Sequence, residues 1–351
     1  MKKYSVVGID VSDKNMKAVA LDSEGEVTWR DTVACRKAAM QTAFGQIEPC
    51  LMILETGSQT GWLSRELIAL GHEVVVANAR KVKAIWANER KSDWRDAETL
   101  ARLGRSDRKL LHPVTLRSAA AQADLSVLRA RDAAVRARVL LVTTIRSLVK
   151  GVGERVPSCS TEAFAKRCRE AVSESGRTAI DPLLTAIETM TATIRDYDRQ
   201  IETTAKERYS TAVTPMSAVP GVGTHTALAY TLTIENPKRF QNRRQVGAFL
   251  GMTPRRDQSG EIDKQLGITH AGDTMLRRLL VGSAHYILGP FGPDCDLRCF
   301  GKRLMARGGK SAKKRAVVAV ARKLSVLLLR LWQTGEPYEP FHRQVTRTQA
   351  A

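Results

Sequence analysis

The sequence predicts a mixed α/β sheet at the N-terminus, followed by a long helical and coiled-coil region and a mainly α-helical C-terminal domain. Three observations lead to this prediction. Short apolar segments alternate with amphipathic ones up to residue 115. Arginine then alternates with leucine and valine at helical spacing over residues 116–212, and residues 213–345 return to shorter segments around a polar loop. A chain of 351 residues is long enough for three such domains, with bounds at 1–115, 116–212 and 213–345.

The N-terminal sheet is predicted from short apolar runs that are bounded by turn residues. The first three runs follow one another directly, with "DSEG" as the turn between the second and the third. Strands and helices then alternate, which is typical of a mixed sheet with helices on its faces. The predicted strands are 4–9, 16–21, 26–31, 50–55 and 72–78, and the predicted helices are 34–46, 61–70 and 92–103.

Two long amphipathic helices are predicted for the middle of the chain. They are joined by a link at 151–161 that contains Gly, Pro, Ser and Cys. Two such helices indicate an antiparallel pair or a coiled coil, and we expect an arm through which copies of the chain associate. An intramolecular helical subdomain would give the same pattern, so this alternative stays open.

The chain is strongly basic, with 56 Lys and Arg against 36 Asp and Glu and a net charge of +20. This excess indicates a polyanionic partner, and nucleic acid is the first candidate. A membrane fits less well, because the sequence has no clear basic amphipathic anchor and no run of about 18 apolar residues. The apolar run in the starting segment "MKKYSVVGID" is too short for a signal peptide, so we expect a cytoplasmic protein. The six cysteines lack the paired spacing of a zinc site.

Four carboxylates stand out because of their positions in the predicted elements. Asp10 lies at the end of the first strand and Glu55 at the end of the fourth. Asp93 and Asp96 lie on the same helical face as two leucines that must point to the core. A buried aspartate is costly unless it is hydrogen-bonded or binds a metal. Four inward carboxylates suit a site for Mg²⁺ or Mn²⁺, where two ions about 4 Å apart can promote phosphodiester chemistry.

An alternative interpretation of the helix is that its aspartates are surface charges. In that case they form salt bridges with Arg90, Lys91 and Arg95. If the aspartates bind metal instead, these three basic residues are candidates to contact nucleic acid.

The phrases "GIDVS", "LETGSQTGWLSREL", "VVVANARKVKAI" and "KSDWRDAETLARL" resemble the N-terminal domain of the DEDD transposases, recombinases of an insertion-sequence family that uses a bridge RNA. The resemblance implies a RuvC-like domain with an RNase H fold. It assigns the family's acidic tetrad to Asp10, Glu55, Asp93 and Asp96. It also implies donor and target DNA, a structured guide RNA, a dimer or tetramer, and a place at the nucleoid of a bacterial cell.

The C-terminal domain contains a serine in a polar segment with a glycine beside it. Ser259 has Arg255, Arg256 and Lys264 near it in sequence, and a serine that attacks a phosphodiester needs exposure and nearby cations. An ordinary turn would have the same composition. The segment "FLGMTPRRDQSGEIDKQLGITHAGDTMLRRLLV" resembles the second block of the same transposases. That resemblance implies that Ser259 is the nucleophile and forms a phosphoserine link, although many members have two serines where this chain has Gln258 and Ser259.

Further basic side chains in this domain are expected to bind nucleic-acid phosphates, with a strong dependence on salt. "VPGVGTHTALA" at 219–229 predicts either a phosphate-binding helix-hairpin-helix turn or a plain helix-turn. The segment 302–324 has nine Lys and Arg and no acid. Its "GGKS" is not an ATP-binding loop, because the first glycine of that motif would fall at Leu304. The candidate contacts are Arg277, Lys310, Lys313, Lys314 and Arg315.

Three other functions fit parts of the sequence. A junction-resolving nuclease would use the acids and a metal alone, with Ser259 in a structural role. "GIDVSDKNMKAVALD" also resembles the first phosphate loop of actin-like sugar kinases, but the second phosphate loop and the adenosine loop of those enzymes are not found downstream. A non-catalytic RNA-binding protein would explain the charge and would leave the inward-facing acids unexplained.

Overall fold

The computed structural model describes residues 2–82 and 92–342, and the chain divides into two units, Met1–Ala119 and Ala120–Ala351. The first unit contains a sheet with helices, and the second is mostly helical. The N-terminal sheet and the mainly helical remainder that the sequence predicts are therefore confirmed. The helical arm and the C-terminal helices belong to one unit, so the division of residues 116–345 into two domains stays a prediction.

Five strands of the first unit form one mixed sheet in the order β3-β2-β1-β4-β5. The first three strands are antiparallel, and β1, β4 and β5 are parallel to one another. Each strand was expected within three residues of where it begins and ends. The strands are β1 (Val6–Val11), β2 (Asn15–Leu21), β3 (Val27–Ala34), β4 (Leu51–Glu55) and β5 (Glu73–Ala77), and the helices are α1 (Lys37–Phe44), α2 (Thr60–Ala69) and α3 (Asp93–Ser106), with a 3-10 turn at Arg108–Leu111.

The two faces of this sheet have separate hydrophobic cores because side chains alternate along each strand. On one face, Val7 and Ile9 of β1 pack with residues of α1 and α2. On the other face, Val6 packs with Leu100 and Ala101 of α3. The even-numbered positions of β1 therefore point toward α3.

Two glycines allow α3 to lie very close to the sheet. A Cβ at Gly8 of β1 would be 2.0 Å from the Ala97 carbonyl oxygen, and a Cβ at Gly104 of α3 would be 1.9 Å from Ile53 Cδ1. The first contact is with backbone, which cannot rotate away. The position of α3 over β1 and β4 is therefore set by the absence of these side chains.

The second unit begins with an antiparallel pair of long helices, α4 (Ala119–Gly151) and α7 (Asp181–Arg208), with α5 (Phe164–Ala171) and α6 (Glu174–Arg177) between them. Arg131 Nε donates to Asp198 Oδ1 over 2.8 Å, and Arg138 Nη1 donates to Thr191 Oγ1 over 3.1 Å. As the residue number rises on α4, the number of its partner on α7 falls, which gives the antiparallel sense. A coiled coil stays a prediction.

The remainder of the second unit packs around one core, which also includes the start of α4. Tyr230 is fully buried there and donates to the Ser325 carbonyl. The elements are α8 (Ser210–Ser217), α9 (Thr224–Ile234), α10 (Gln245–Phe249), β6 (Pro254–Ser259), β7 (Ile262–Ile268), α11 (Thr274–Leu288), α12 (Asp296–Ala306) and α13 (Ala312–Thr334), with a 3-10 turn at Pro237–Arg239.

None of the helices within residues 2–82 and 92–342 is long and apolar enough to cross a membrane.

Candidate active site

Asp10 and Glu55 lie side by side at the ends of two neighbouring parallel strands. The last register pair of β1 and β4 is Ile9 with Leu54, and each acid is the next residue of its strand. Asp10 is two positions beyond Gly8, so both residues are on the face that α3 covers. Glu55 is likewise two positions beyond Ile53, which packs in the same core. Both acids are half-buried.

Helix α3 begins at this end of the sheet. Ser92 caps the helix, with its side chain accepting from the Arg95 N–H. Asp96 is only 5% exposed, and it directly precedes the Ala97 carbonyl that lies against Gly8. Asp93 is the first residue of the helix and is exposed. The structure thus brings Asp96 to the same interface as Asp10 and leaves Asp93 at its rim.

A lysine that the sequence reasoning missed lies beside these acids. Lys17 of β2 pairs in register with Asp10, so the two side chains are on the same face of the sheet. Its ammonium group donates to Thr32 Oγ1 over 2.8 Å and lies 4.7 Å from the ring centroid of Trp94 on α3. In the sequence, Lys17 is noticeable as a lysine inside an otherwise apolar strand. That it lies opposite Asp10 can be recognised only when the register between β1 and β2 is known.

Glu98 forms salt bridges on the outer face of α3, and the alternative role of the aspartates as partners of Arg90, Lys91 and Arg95 stays open. Glu98 pairs with Arg30 over 3.0 Å and with Arg102 over 2.8 Å. Arg95 is exposed next to them. The two other basic residues expected here, Arg90 and Lys91, lie outside the described residues.

The backbone around Glu55 is held by side chains from the start of α2. Thr60 Oγ1 donates to the Glu55 carbonyl over 2.7 Å and accepts from the Gly57 N–H over 2.8 Å. Gln59 Nε2 donates to the carbonyls of Ser12 and Asp13, at 3.0 and 2.8 Å. The ends of β1 and β4 are therefore connected to one helix.

The donor chemistry of these acids fits Mg²⁺ or Mn²⁺, because carboxylate oxygens are the ligands these ions prefer. Within residues 2–82 and 92–342, however, no three His, Cys, Asp or Glu side chains are grouped closely enough to hold a metal ion. The assembly of Asp10, Glu55, Asp93 and Asp96 around an ion stays a prediction.

Ser259 is at the tip of a β-hairpin, where the sequence indicated a loop. It is the last residue of β6 and pairs with Ile262, the first residue of β7. The two residues between them form the turn, and Gly260 has the positive φ of +55° that favours glycine. Every residue of β6 is exposed, so the hydroxyl of Ser259 is accessible.

The charges on the hairpin are partly paired across the strands. Arg256 makes a bidentate ion pair with Asp263, with both N–O distances 2.7 Å. These hydrogen bonds raise the pKa of Arg256 and lower the pKa of Asp263. Arg255 and Lys264 are exposed. Arg256 therefore stiffens the hairpin, and the other two cations face solvent.

Arg277 lies inside the unit, where the sequence reasoning expected a surface contact with nucleic acid. It is 8% exposed, and its guanidinium donates to the carbonyls of Leu250 and Ala271 at 3.1 and 2.5 Å and to Thr274 Oγ1 at 3.1 Å. Leu250 precedes the hairpin and Ala271 follows it. Arg277 therefore connects the two chain segments at the base of the hairpin.

The other expected cations are exposed around the start of α13. One face of α13 is buried, with Val317, Val320, Leu324 and Leu328 in the core. The exposed cations here are Lys310, Lys313, Lys314 and Arg315.

The helix-turn predicted at 219–229 is formed by α8 and α9. The turn contains Gly221, whose φ is +80°, and Gly223 caps α9. Thr224 at the start of α9 donates to Glu202 of α7 over 3.0 Å. A carboxylate thus lies at this helix start, and phosphate binding there stays a prediction.

Comparisons with known proteins match both parts of the chain. Residues 7–153 match the family model of IS110-type DEDD transposases, and residues 214–291 match the model described as the transposase IS116/IS110/IS902 family. The chain is 26% identical over 346 residues to the transposase for insertion sequence element IS1111A of Coxiella burnetii, covering 96% of this chain and 92% of that protein.

Two further relatives cover most of the chain. A probable family 20 transposase of Pseudomonas aeruginosa is 28% identical over 291 residues, which are 81% of this chain and 84% of that protein. The transposase for insertion sequence element IS1328 of Yersinia enterocolitica is 26% identical over 290 residues, with the same two shares.

Proposed function

The chain belongs to the IS110-type DEDD transposases of insertion sequences, enzymes that cut and rejoin DNA, and from this premise we propose that Ser259 is its nucleophile and that its four acids bind a divalent cation that assists. The observation that carries the proposal is the position of Asp10 and Glu55 at the ends of neighbouring strands, on the face where Asp96 is buried. These three acids are distant in sequence, and the elements that carry them pack against one another.

The fold that we propose for the first unit is the RuvC-like RNase H fold. The strand order β3-β2-β1-β4-β5, with three antiparallel strands and then parallel ones, supports this assignment. The acids at the ends of β1 and β4 fit it, because the ends of neighbouring parallel strands are a common position for ligand sites.

The residues proposed to hold Mg²⁺ or Mn²⁺ are Asp10, Glu55, Asp93 and Asp96. A cation there would neutralise charge on the phosphate that reacts and polarise its oxygens. The hydrogen bond that Thr60 donates to the Glu55 carbonyl helps to hold one of these acids in place. Lys17 supplies a fixed positive charge next to Asp10, where a DNA phosphate would be bound.

The hydroxyl of Ser259 attacks the phosphorus of the DNA strand in the proposed reaction. A bond forms between Ser259 Oγ and phosphorus, and the bond from phosphorus to one sugar oxygen breaks. That sugar leaves as a hydroxyl with a proton, in balance with the proton that Ser259 loses. Attack by a sugar hydroxyl of another strand reverses the step, so the strands are rejoined without ATP.

The charge of +20 supports binding of donor and target DNA and of a structured guide RNA. A dimer or tetramer is proposed because two DNA duplexes have to be held. Exposed apolar residues in the second half of α4 and directly after it support association through the arm: Leu140 is 66% exposed, and Leu148 and Val152 are also exposed.

The test of the nucleophile is the capture of a covalent protein–DNA adduct on denaturing gels. DNA carrying the ends of the element is incubated with protein, Mg²⁺ and the RNA that co-purifies with it, which sequencing identifies. We expect an adduct with the wild-type protein and with Ser126→Ala, an exposed serine of α4. We expect none with Ser259→Ala, while Asp10→Asn still binds DNA and forms little adduct.

The alternative of a metal-only nuclease makes the opposite prediction. In that mechanism water attacks the phosphate, no adduct forms, and Ser259→Ala cleaves at the wild-type rate. That pair of results would exclude the serine mechanism and leave the acids as the catalytic residues.

A further inference from the structure

The second unit contains a groove of about 1440 Å³ that the carboxylates and Ser259 do not use. Its walls are strand β7 of the hairpin on one side and helices α12 and α13 on the other. This volume exceeds the roughly 300–1,000 Å³ of pockets for drug-sized ligands, so it suits a polymer segment.

The charge of the groove selects a polyanion. Eight Lys and Arg side chains line it against two acids, Asp296 and Glu339. Among the described residues, no carboxylate forms an ion pair with the groove cations Arg303, Lys314, Arg315, Arg322 and Arg330. Arginines of the helical arm differ, since Arg131 and Arg169 pair with carboxylates. Unpaired cations held close together repel one another, and phosphates relieve that repulsion.

The floor of the groove is apolar, which distinguishes between strand types. Leu266 is 43% exposed, and Ile268, Phe300 and Leu327 line the same surface. Lys323 lies 3.7 Å from the centroid of the Phe300 ring and leaves part of that side chain accessible. A duplex would present phosphates and leave this floor uncovered, whereas an unpaired strand has base faces that can bury it.

The hairpin indicates which strand is bound. Gln265 to Ile268 of β7 line the groove, and Ile262 of the same strand pairs with Ser259. Three residues of strand span about 10 Å. This corresponds to about three nucleotides at the ~3.4 Å rise of a stacked strand. A strand in the groove therefore leads to the serine.

We propose that this groove binds an unpaired segment of the DNA strand that Ser259 attacks, with phosphates on the arginines and bases on the apolar floor. The inference rests on the proposed function for the identity of the strand. The binding itself is measurable without any chemistry at the serine.

The experiment measures fluorescence anisotropy with Ser259→Ala protein and three probes: a labelled 12-nucleotide oligo-dT, its oligo-dT:dA duplex and oligo-U of equal length. We expect oligo-dT to bind more tightly than the duplex. Leu266→Ser should weaken oligo-dT binding about 5- to 10-fold, because it removes part of the apolar surface on which a base packs. Arg315→Gln should weaken it and reduce the salt slope by about 0.7.

Matched controls are exposed residues that do not line the groove. Ile68→Ser changes an isoleucine of α2 that is 57% exposed, and Lys166→Gln changes an exposed lysine of α5. Both should bind oligo-dT as the parent protein does. All four substitutions are at exposed positions, and circular dichroism verifies that each protein is folded.

Three outcomes overturn the inference. The first is that the duplex binds as tightly as oligo-dT. The second is that the Leu266→Ser and Arg315→Gln proteins bind oligo-dT as tightly as the controls do. The third is that oligo-U binds at least tenfold more tightly than oligo-dT, which would make RNA the occupant of the groove. Adduct capture separates this failure from failure of the proposed function. If adducts form through Ser259 while the groove variants bind normally, only the groove assignment is wrong.

Discussion

Replacing Gly8 by alanine is expected to displace the helix that carries half of the proposed acidic site. The added Cβ would be 2.0 Å from the Ala97 carbonyl oxygen, whereas ordinary contacts begin at 3.4 Å. The helix α3 must therefore move away from β1 by about 1.4 Å, because backbone cannot rotate aside. Asp96, the residue before Ala97, moves with it.

The magnitude follows from the size of this shift. Overpacking of a close interface costs about 1–3 kcal/mol of the free energy of unfolding, and we expect the upper part of that range because both atoms are fixed. A displacement of about 1 Å in a catalytic group can lower the rate about 100-fold. Gly8→Ala should therefore remain folded and lose most of its adduct formation.

The assay combines urea denaturation with the rate of adduct formation on DNA. Gly282→Ala on α11 is the matched control, because nothing lies within 4 Å of the added Cβ. It should be as stable as the wild type or more so, at the wild-type rate. A folded Gly8→Ala protein that forms adduct within threefold of the wild-type rate would refute the link between α3 and catalysis.

The remaining predictions concern a buried arginine, a buried histidine and one acid. Arg277→Ala should lower the free energy of unfolding by about 3 kcal/mol in urea denaturation, because buried backbone carbonyls lose a charged donor; an unchanged midpoint would contradict this. Burial lowers the pKa of His72 below its ordinary 6.5, so the stability that neutral His72 contributes is complete above pH 6.5 and declines below it. His72→Gln should flatten this decline in thermal melts measured against pH. An unchanged dependence of the melting temperature on pH would argue that His72 is not its cause. Asp96→Asn should weaken Mn²⁺ binding at least tenfold in calorimetry, whereas Asp31→Asn, at an exposed position, should not change it. Equal Mn²⁺ affinities of the two variants would show that Asp96 is not a metal ligand.

The sheet could be predicted because its strands are short apolar runs that turn residues separate, a signal within each segment. The acids Asp10 and Glu55 could be selected as candidates for the same reason, since an acid at the end of an apolar strand is conspicuous. Lys17 could not be found in this way, because its relation to Asp10 is a matter of register between strands.

The C-terminal part depended more on tertiary contacts. Strands β6 and β7 are exposed on both faces and carry no apolar alternation, so a hairpin there could not be distinguished from a polar loop. Arg277 resembles a surface cation in the sequence, and only the packing of α11 against the chain on both sides of the hairpin buries it.

Two polar pairs between the long helices are separated by the same number of residues on both helices. The contacts Arg131–Asp198 and Arg138–Thr191 are seven residues apart on each helix, which is about two turns. Deleting one such step from both helices would keep the remaining partners opposite each other and shorten the arm by about 10.5 Å. Unequal deletions would misalign every pair. Lengths in this part of the protein are therefore expected to vary between relatives in matched steps, which would tune how far the tip of the arm reaches while leaving the rest of the molecule unchanged.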